Sequence, residues 1–253
     1  MALVDVADHP GGVRLLALNR PPAQAIEETL LEALQETLQE AETNPAVRAI
    51  VLTGTGAFFS AGFDFRAPRR SETSARSFYE LYRSVHLRLL GLPKPTVAMI
   101  NGHAIAGGLV LALACDYRLA VEGDYRIGLN EVAVGAAYPR AAAEIVRLRL
   151  SHARACELML GAALYPASQA MRLGVADELL PAATFQETVL RRAARLAAMP
   201  APAYAHTKLF LVQPAIRAIL AETEEEAAAT REVWASPEGR EARKRQRDRL
   251  LHQ

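Results

Sequence analysis

The sequence predicts an α/β fold of repeated strand–strand–helix units, followed by a helical appendage. Three observations lead there. Strand-like and helix-like signals alternate up to about residue 135. The apolar run Thr96 to Ile100 breaks at Asn101-Gly102, and the adjacent glycines Gly107 and Gly108 then open a short, almost wholly apolar helix. From Pro139 onward, helical patterns dominate.

Residues 3–6 and 13–18 are short strand candidates on either side of the turn His9-Pro-Gly-Gly12. Arg20-Pro-Pro22 stops regular structure. Between Glu27 and Glu42, Leu30, Leu31, Leu34, Leu38 and Ala41 recur at helical spacing, with Asn44-Pro45 just beyond. The apolar stretch Arg48 to Thr53, bounded by Gly54, suits a buried strand, and Gly54 to Phe65 reads as a loop rich in glycine and aromatics. Arg76 to Leu90 is an amphipathic helix ended by Gly91 and Pro93. Tyr117 to Val121 and Tyr125 to Leu129 are further short strands. Helices follow over 140–150, 153–160, 167–173 and 184–198, and from Ala203 to the end. The last stretch runs from acidic (Glu222, Glu224, Glu225, Glu226) to basic (Arg240, Arg243, Lys244, Arg245, Arg247, Arg249), which reads as a solvated helix face.

A chain of 253 residues with 51% apolar and 23% charged residues is expected to be globular, with one sizeable core. Its net charge of +1 implies no general attraction to nucleic acid or membrane surfaces. The six histidines lack ligand-like spacing, so no metal site is expected. Cys115 and Cys156 fall in no metal or redox motif and read as reduced, buried thiols. Leu3-Val-Asp-Val6 carries no basic stretch leading into an apolar run, and no apolar segment reaches membrane-spanning length. The expectation is a cytoplasmic protein.

Strand, glycine turn and buried helix in that order leave backbone N–H groups free at a helix N-terminus, where they can face an anion or a developing oxyanion. A second element of this kind lies upstream, where Ser60-Ala61-Gly62 follows another apolar strand. Two main-chain donors converging on one oxygen make an oxyanion hole, and losing one donor typically costs about 10²–10³ in rate. A dinucleotide site at Gly54-Thr-Gly56 is disfavoured, because Phe59 stands where the fingerprint needs its third glycine.

The string Ser60-Ala-Gly-Phe-Asp64, followed by Lys94-Pro-Thr-Val-Ala-Met-Ile-Asn-Gly-His-Ala-Ile-Ala-Gly-Gly108 and then Cys115-Asp116, resembles the crotonase (enoyl-CoA hydratase/isomerase) superfamily. The resemblance runs from Arg20-Pro-Pro22 to the C-terminal helices. It implies a crotonase-like spiral over residues 1–195 and a helical trimerisation region over 196–253. It also implies acyl-CoA thioester substrates, with coenzyme A as part of the substrate and no separate cofactor, and assembly as a homotrimer or dimer of trimers. By the same resemblance the thioester oxygen is held by the N–H groups of Ala61 and Gly107. CoA runs along Ala61, Gly62, Phe63, Asp64 and Phe65, with Ala23, Ala25 and Gly108 also at its site. Gln24 stands where the family commonly has an asparagine.

The reaction is read from two positions. Hydratases of the superfamily carry two glutamates, and the first falls on Val110 here, while the second is kept as Glu131. Adding water needs a water-orienting base and a proton donor, whereas moving a double bond needs one group that takes a proton and returns it. Cys115-Asp-Tyr-Arg118 with Ile127-Gly-Leu-Asn-Glu131 is similar to the mitochondrial-type Δ3,Δ2-enoyl-CoA isomerases, and by that analogy Asn130 lines the acyl pocket. The implied mechanism has Glu131 remove a proton from C2 of a 3-enoyl-CoA and deliver it to C4. Val110, Val132 and Val134 are expected to desolvate Glu131 and raise its pKa. Asp64 reads as a loop-ordering residue, Asp116 as a partner for buried backbone donors, and His103 as either packed or ligand-contacting. Tyr138-Pro139 is expected to reshape the acyl pocket. Alternative readings are a hydratase, a carbon–carbon hydrolase with Glu131 as sole base, or a non-catalytic acyl-CoA-binding or RNA-binding homologue.

Overall fold

The structure is a computed structural model that describes residues 2–64 and 72–251. The predicted alternation holds. In chain order the first half runs β1 (Val4–His9), β2 (Val13–Leu18), α1 (Glu28–Thr43), β3 (Ala49–Gly54), β4 (Phe58–Ser60), α2 (Glu72–Gly91), β5 (Thr96–Ile100), β6 (His103–Ile105), α3 (Gly107–Ala114), β7 (Tyr117–Val121) and β8 (Arg126–Gly128). The second half contains α4 (Arg140–Arg149), α5 (His152–Gly161), β9 (Leu164–Pro166), α6 (Ala167–Leu173), β10 (Glu178–Leu180), α7 (Phe185–Ala197), α8 (Ala201–Leu220), α9 (Glu224–Ala235) and α10 (Pro237–Leu251).

Two sheets result. The larger has strand order β1-β2-β3-β5-β7-β10 and is parallel except for β1–β2; the smaller has order β4-β6-β8-β9. Each pair β3/β4, β5/β6 and β7/β8 places one strand in each sheet, so the chain winds as a spiral of strand–strand–helix turns. The large sheet is buried on both faces. Ile50, Leu52, Ala98 and Ile100 join a core with α1, α2 and α3, while Ala49, Val51, Val97 and Met99 face α7. Burial on both sides explains why these strands read as continuous apolar runs. In α3 every residue is buried, so the helix is apolar all round. It sits in the middle of the molecule and aims its N-terminus at the smaller sheet.

Four strands were not anticipated: β4, β6, β9 and β10 have three residues each, too few to show alternation. The helical stretch expected from Ala203 to the end divides into three helices. Thr223 caps α9, accepting from Glu226 N at 3.2 Å while the Glu226 carboxylate accepts from Thr223 N at 2.9 Å; Pro237 then ends the continuity with α10. Residue 195, the expected domain boundary, lies within α7. Cys156 is half-buried rather than buried, with Sγ 3.5 Å from His152 Nε2 at the exposed start of α5. Among the described residues no helix is long and apolar enough to cross a membrane.

The helical appendage is fastened to the sheet by a buried ion pair. Asp116, directly after α3, accepts from Thr96 N at 2.9 Å as expected, and its Oδ2 also takes Lys208 Nζ at 2.9 Å and the Tyr204 hydroxyl at 3.0 Å from α8. Lys208 further donates to the Lys94 carbonyl at 3.2 Å, so the ammonium and the carboxylate are both multiply bonded inside the protein. Removing Lys208 leaves the largely buried Asp116 carboxylate with only Arg149 Nη2, 3.8 Å from its Oδ1, as counter-charge among the described residues. Lys208→Met is therefore expected to destabilise the fold by about 3–5 kcal/mol in a denaturant titration.

Candidate active site

The turn before α3 carries an unusual backbone. Ala106, its N-cap, has φ 53° and ψ −129°, a region that L-residues seldom occupy, and it delivers the chain into Gly107 with that residue's N–H unused by the helix. The loop after β4 lies directly against this turn. Gly62 has φ +78°, and a Cβ there would meet Ala106 Cβ at 2.9 Å and Gly107 N at 3.1 Å. Only glycine permits both the dihedral and the approach. Gly108 is a glycine for packing: a Cβ on it would lie 2.3 Å from the Ser60 carbonyl oxygen, so it closes the interior of the loop rather than the cavity described below.

Residues 23–26 brace the same loop from the other side. Ala61 N donates to Ala23 O at 3.0 Å, Ile26 N to Gly62 O at 2.7 Å, and Asp64 N to Ile26 O at 3.1 Å. The sequence reading of Ala61 as an oxyanion donor is thereby corrected, because its N–H is already bonded within the chain. In the parallel bridge between Ile26 and Phe63, the bonds are made by the residues flanking Phe63. Phe63's own N–H consequently points away from Ile26. Its ring packs beside Gly107, 3.6 Å from where a Cβ on that glycine would be. The bridge register that orients the Phe63 N–H leaves no trace in composition, so sequence reasoning does not single this residue out.

Ala23 and Ala25 are placed beside this loop; their carbonyls accept from Ala61 N and from Arg20 Nη1 at 3.2 Å. Gln24 is buried, with its amide spent on Arg20 N at 2.6 Å and Thr55 O at 2.8 Å. Asp64 is held by Arg20 at 2.7 Å, in keeping with a loop-ordering role. Phe65 lies outside the described residues. His103 packs: its ring stacks on Phe58 at 4.7 Å and its Nδ1 accepts from Arg126 N at 3.1 Å.

Glu131 follows β8 and begins a short 3-10 turn, Val132–Val134, whose return is fixed by Ala136 N donating to Glu131 O at 2.9 Å. Its side chain shares one cavity with Phe63, Ala106 and Gly107. Val134, Pro139 and Ala142 form the apolar wall beside the carboxyl, and Tyr82 of α2 and Trp234 of α9 complete the lining. Glu131 is 7% exposed and its Oε2 has no hydrogen-bond partner. Burial pushes its pKa from the ordinary 4.5 up to about 7, offset in part by its own backbone and by the Tyr138 hydroxyl. That hydroxyl donates to Met159 O at 3.3 Å, so the carboxylate receives only a share of it.

Two expectations about these surroundings need correcting. Val132 is 49% exposed and does not shield Glu131; the periodicity of a 3-10 turn turns it outward. Val110 is fully buried in α3 but is not part of the cavity lining, so the shielding falls to Val134, Pro139 and Ala142. Asn130 is half-buried next to Glu131, and its side chain is not among those lining the cavity. Trp234 was not anticipated at all, because it comes from a distant helix. Among the described residues no group of three or more His, Cys, Asp or Glu side chains converges as metal ligands would.

The family model described as enoyl-CoA hydratase/isomerase matches residues 8–248. The chain belongs to this family. A probable enoyl-CoA hydratase of Bacillus subtilis is 35% identical over 64% of the chain, a segment spanning 64% of that protein's length. The human mitochondrial enoyl-CoA delta isomerase 1 is 31% identical over 81% of the chain and 68% of its own length. The crystal structure of human mitochondrial Δ3-Δ2-enoyl-CoA isomerase superimposes with a TM-score of 0.93 at 25% identity, covering 99% of this chain and 98% of that one. Relatives thus carry both hydratase and isomerase names, and the family's spiral and C-terminal helices are those seen here.

The raised pKa of Glu131 has a consequence for stability. Between about pH 4.5 and 7 the folded chain holds a proton that the unfolded chain has released, so the associated stability is complete below the unfolded pKa and is lost as pH rises through about 7. Glu131→Gln removes that loss. The variant is expected to gain up to about 3 kcal/mol over the parent at pH 8 and little at pH 4.5, measured by denaturant unfolding at both pH values.

Proposed function

We propose that this chain is an acyl-CoA double-bond isomerase, converting a 3-enoyl-CoA to the 2-enoyl-CoA. The observation that carries the reading is that Glu131 is the one carboxylate among the described residues lining the cavity, facing the N-terminus of α3. Its pKa near 7 suits a group that must accept a proton and then release it. The thioester carbonyl sits with its oxygen between the N–H groups of Phe63 and Gly107, so that removal of the C2 proton places negative charge where two amides and the end of a helix receive it. Glu131 then returns the proton to C4. Coenzyme A enters as part of the substrate, along the loop from Gly62 to Asp64.

A hydratase reading requires a second acid or base next to the first. The side chain at the position concerned is Val110, a hydrocarbon buried in α3, which can neither orient nor ionise water. We further propose a homotrimer or dimer of trimers formed through the C-terminal helices, an idea supported by Leu209, Phe210 and Leu211 standing 48%, 76% and 65% exposed on α8.

The chemistry is tested with 3-hexenoyl-CoA and crotonyl-CoA supplied separately while absorbance of the conjugated thioester is followed. A rise with the first and no loss with the second is expected; the reverse pattern makes the chain a hydratase. Isomerisation should increase with pH through about 7 and then level, since the base must be ionised. Glu131→Gln should lower the rate by about 10²–10⁴.

A further inference from the structure

The cavity beside Glu131 is small, with free volume of about 10 Å³, which is room for roughly one water. An acyl group undergoing a shift between C2 and C4 needs more, so the least firmly packed wall must shift to admit it and, beyond that shift, sets the limit. Most of the walls are fixed. Tyr82, Ala106, Val134, Pro139 and Ala142 are all buried in the core. Phe63 is tied by its backbone bridge, and its ring packs against Phe78 and Tyr82 at 5.2 Å each.

Trp234 is different. It is half-buried, on a helix that contributes no buried residue, so its indole stands between the cavity and solvent. Yet it is held in a defined pose. Its Nε1 donates to Ala137 O at 2.8 Å, its ring lies 5.4 Å from that of Phe63, and the Arg243 guanidinium sits 5.1 Å over it. Arg243 in turn donates to Gly135 O at 2.7 Å, and Gly239 packs so closely on Gly135 that a Cβ on the latter would meet its Cα at 2.5 Å. α9 and α10 are thus latched onto the turn that begins with Glu131, and the latch carries the indole.

We propose that Trp234 is the acyl-length stop of this site: it closes the pocket against solvent, restricts the chain to short acyl-CoA thioesters, and its removal opens an exit for longer ones. This rests on the reading of the site as an acyl-CoA pocket, not on the reaction performed there. Each methylene buried adds about fourfold in binding. A stop ends that series at the chain length that reaches the indole, whereas an open groove continues it.

Binding of saturated butyryl-, hexanoyl- and decanoyl-CoA, measured by calorimetry on the full chain, tests this without any turnover. In the parent, affinity should rise to hexanoyl-CoA and be flat or lower at decanoyl-CoA. In Trp234→Ala, decanoyl-CoA should bind at least about tenfold tighter than to the parent, with butyryl-CoA within about threefold. Affinity climbing about fourfold per methylene through decanoyl-CoA in the parent overturns the stop, as does a common factor of weakening at all three lengths in the variant. Should the variant fail to fold, the parent's length series still decides, together with Trp234 emission. Trp234 is the only tryptophan of the sequence, and hexanoyl-CoA, unlike CoA alone, should shift its fluorescence. Absence of binding by every acyl-CoA would remove the functional reading and the stop together; acyl-CoA binding with the same length profile in both proteins removes only the stop.

Discussion

The backbone after β4 and the N-terminus of α3 lie against each other with no room for a side chain between them, and the rest of the site is arranged around that contact. Gly62 meets Ala106 and Gly107 at distances that no Cβ would tolerate, and Gly108 does the same to the Ser60 carbonyl. The approach is held from outside by the hydrogen bonds of residues 23–26 and by Arg20 on Asp64. Its result is that two backbone segments, at Phe63 and at Gly107, line one small cavity, where the proposed reaction uses their amides as paired donors. Backbone donors fixed by secondary structure need little reorganisation when charge develops, which is the physical advantage of building an anion site this way.

Opposite those amides stands a carboxyl group in poor solvation. Its apolar neighbours raise the cost of charge on Glu131, which lowers stability above neutral pH and sets the group to exchange its proton near pH 7, as the proposed reaction requires. On the proposed isomerase reaction, the same burial would keep water away from the enolate. Site and appendage are coupled as well, because the turn after Glu131 is the surface on which Trp234 and Arg243 dock. The C-terminal helices therefore do two separate things: α8 is welded to the sheet through Lys208 and Asp116, while α9, braced by Arg243 of α10, completes the cavity of its own chain through Trp234.

Much of this was legible in the sequence, and the failures have physical causes. The long strands β2, β3, β5 and β7, the helix α1 and the buried α3 declare themselves through apolar runs or helical spacing, and the motif singles out Glu131 and Gly107, which line one cavity. Strands of three residues show no period, so β4, β6 and β9 of the smaller sheet and β10 of the larger escape sequence reading, while β8 falls within the expected strand Tyr125 to Leu129. The motif points to Ala61, whose N–H the register commits to Ala23, while the N–H of Phe63 is directed away from Ile26, an orientation that only the bridge register reveals. Val132 was assumed to face inward with Val134, which a strand would allow and a 3-10 turn does not. Trp234 reaches the cavity from 97 positions beyond the carbonyl it bonds, and no local pattern encodes so distant a contact.

In the proposed isomerase reaction one shielded carboxyl group carries a proton from C2 to C4. Following isomerisation of 3-hexenoyl-CoA in deuterium oxide by mass spectrometry tests it most directly. A single buried shuttle predicts that a substantial fraction of product retains the substrate's own hydrogen at C4, with less than one solvent deuterium gained per turnover. Full incorporation of one deuterium at C4 from the first turnover onward would show that the proton delivered there comes from solvent or another group, and would contradict the account.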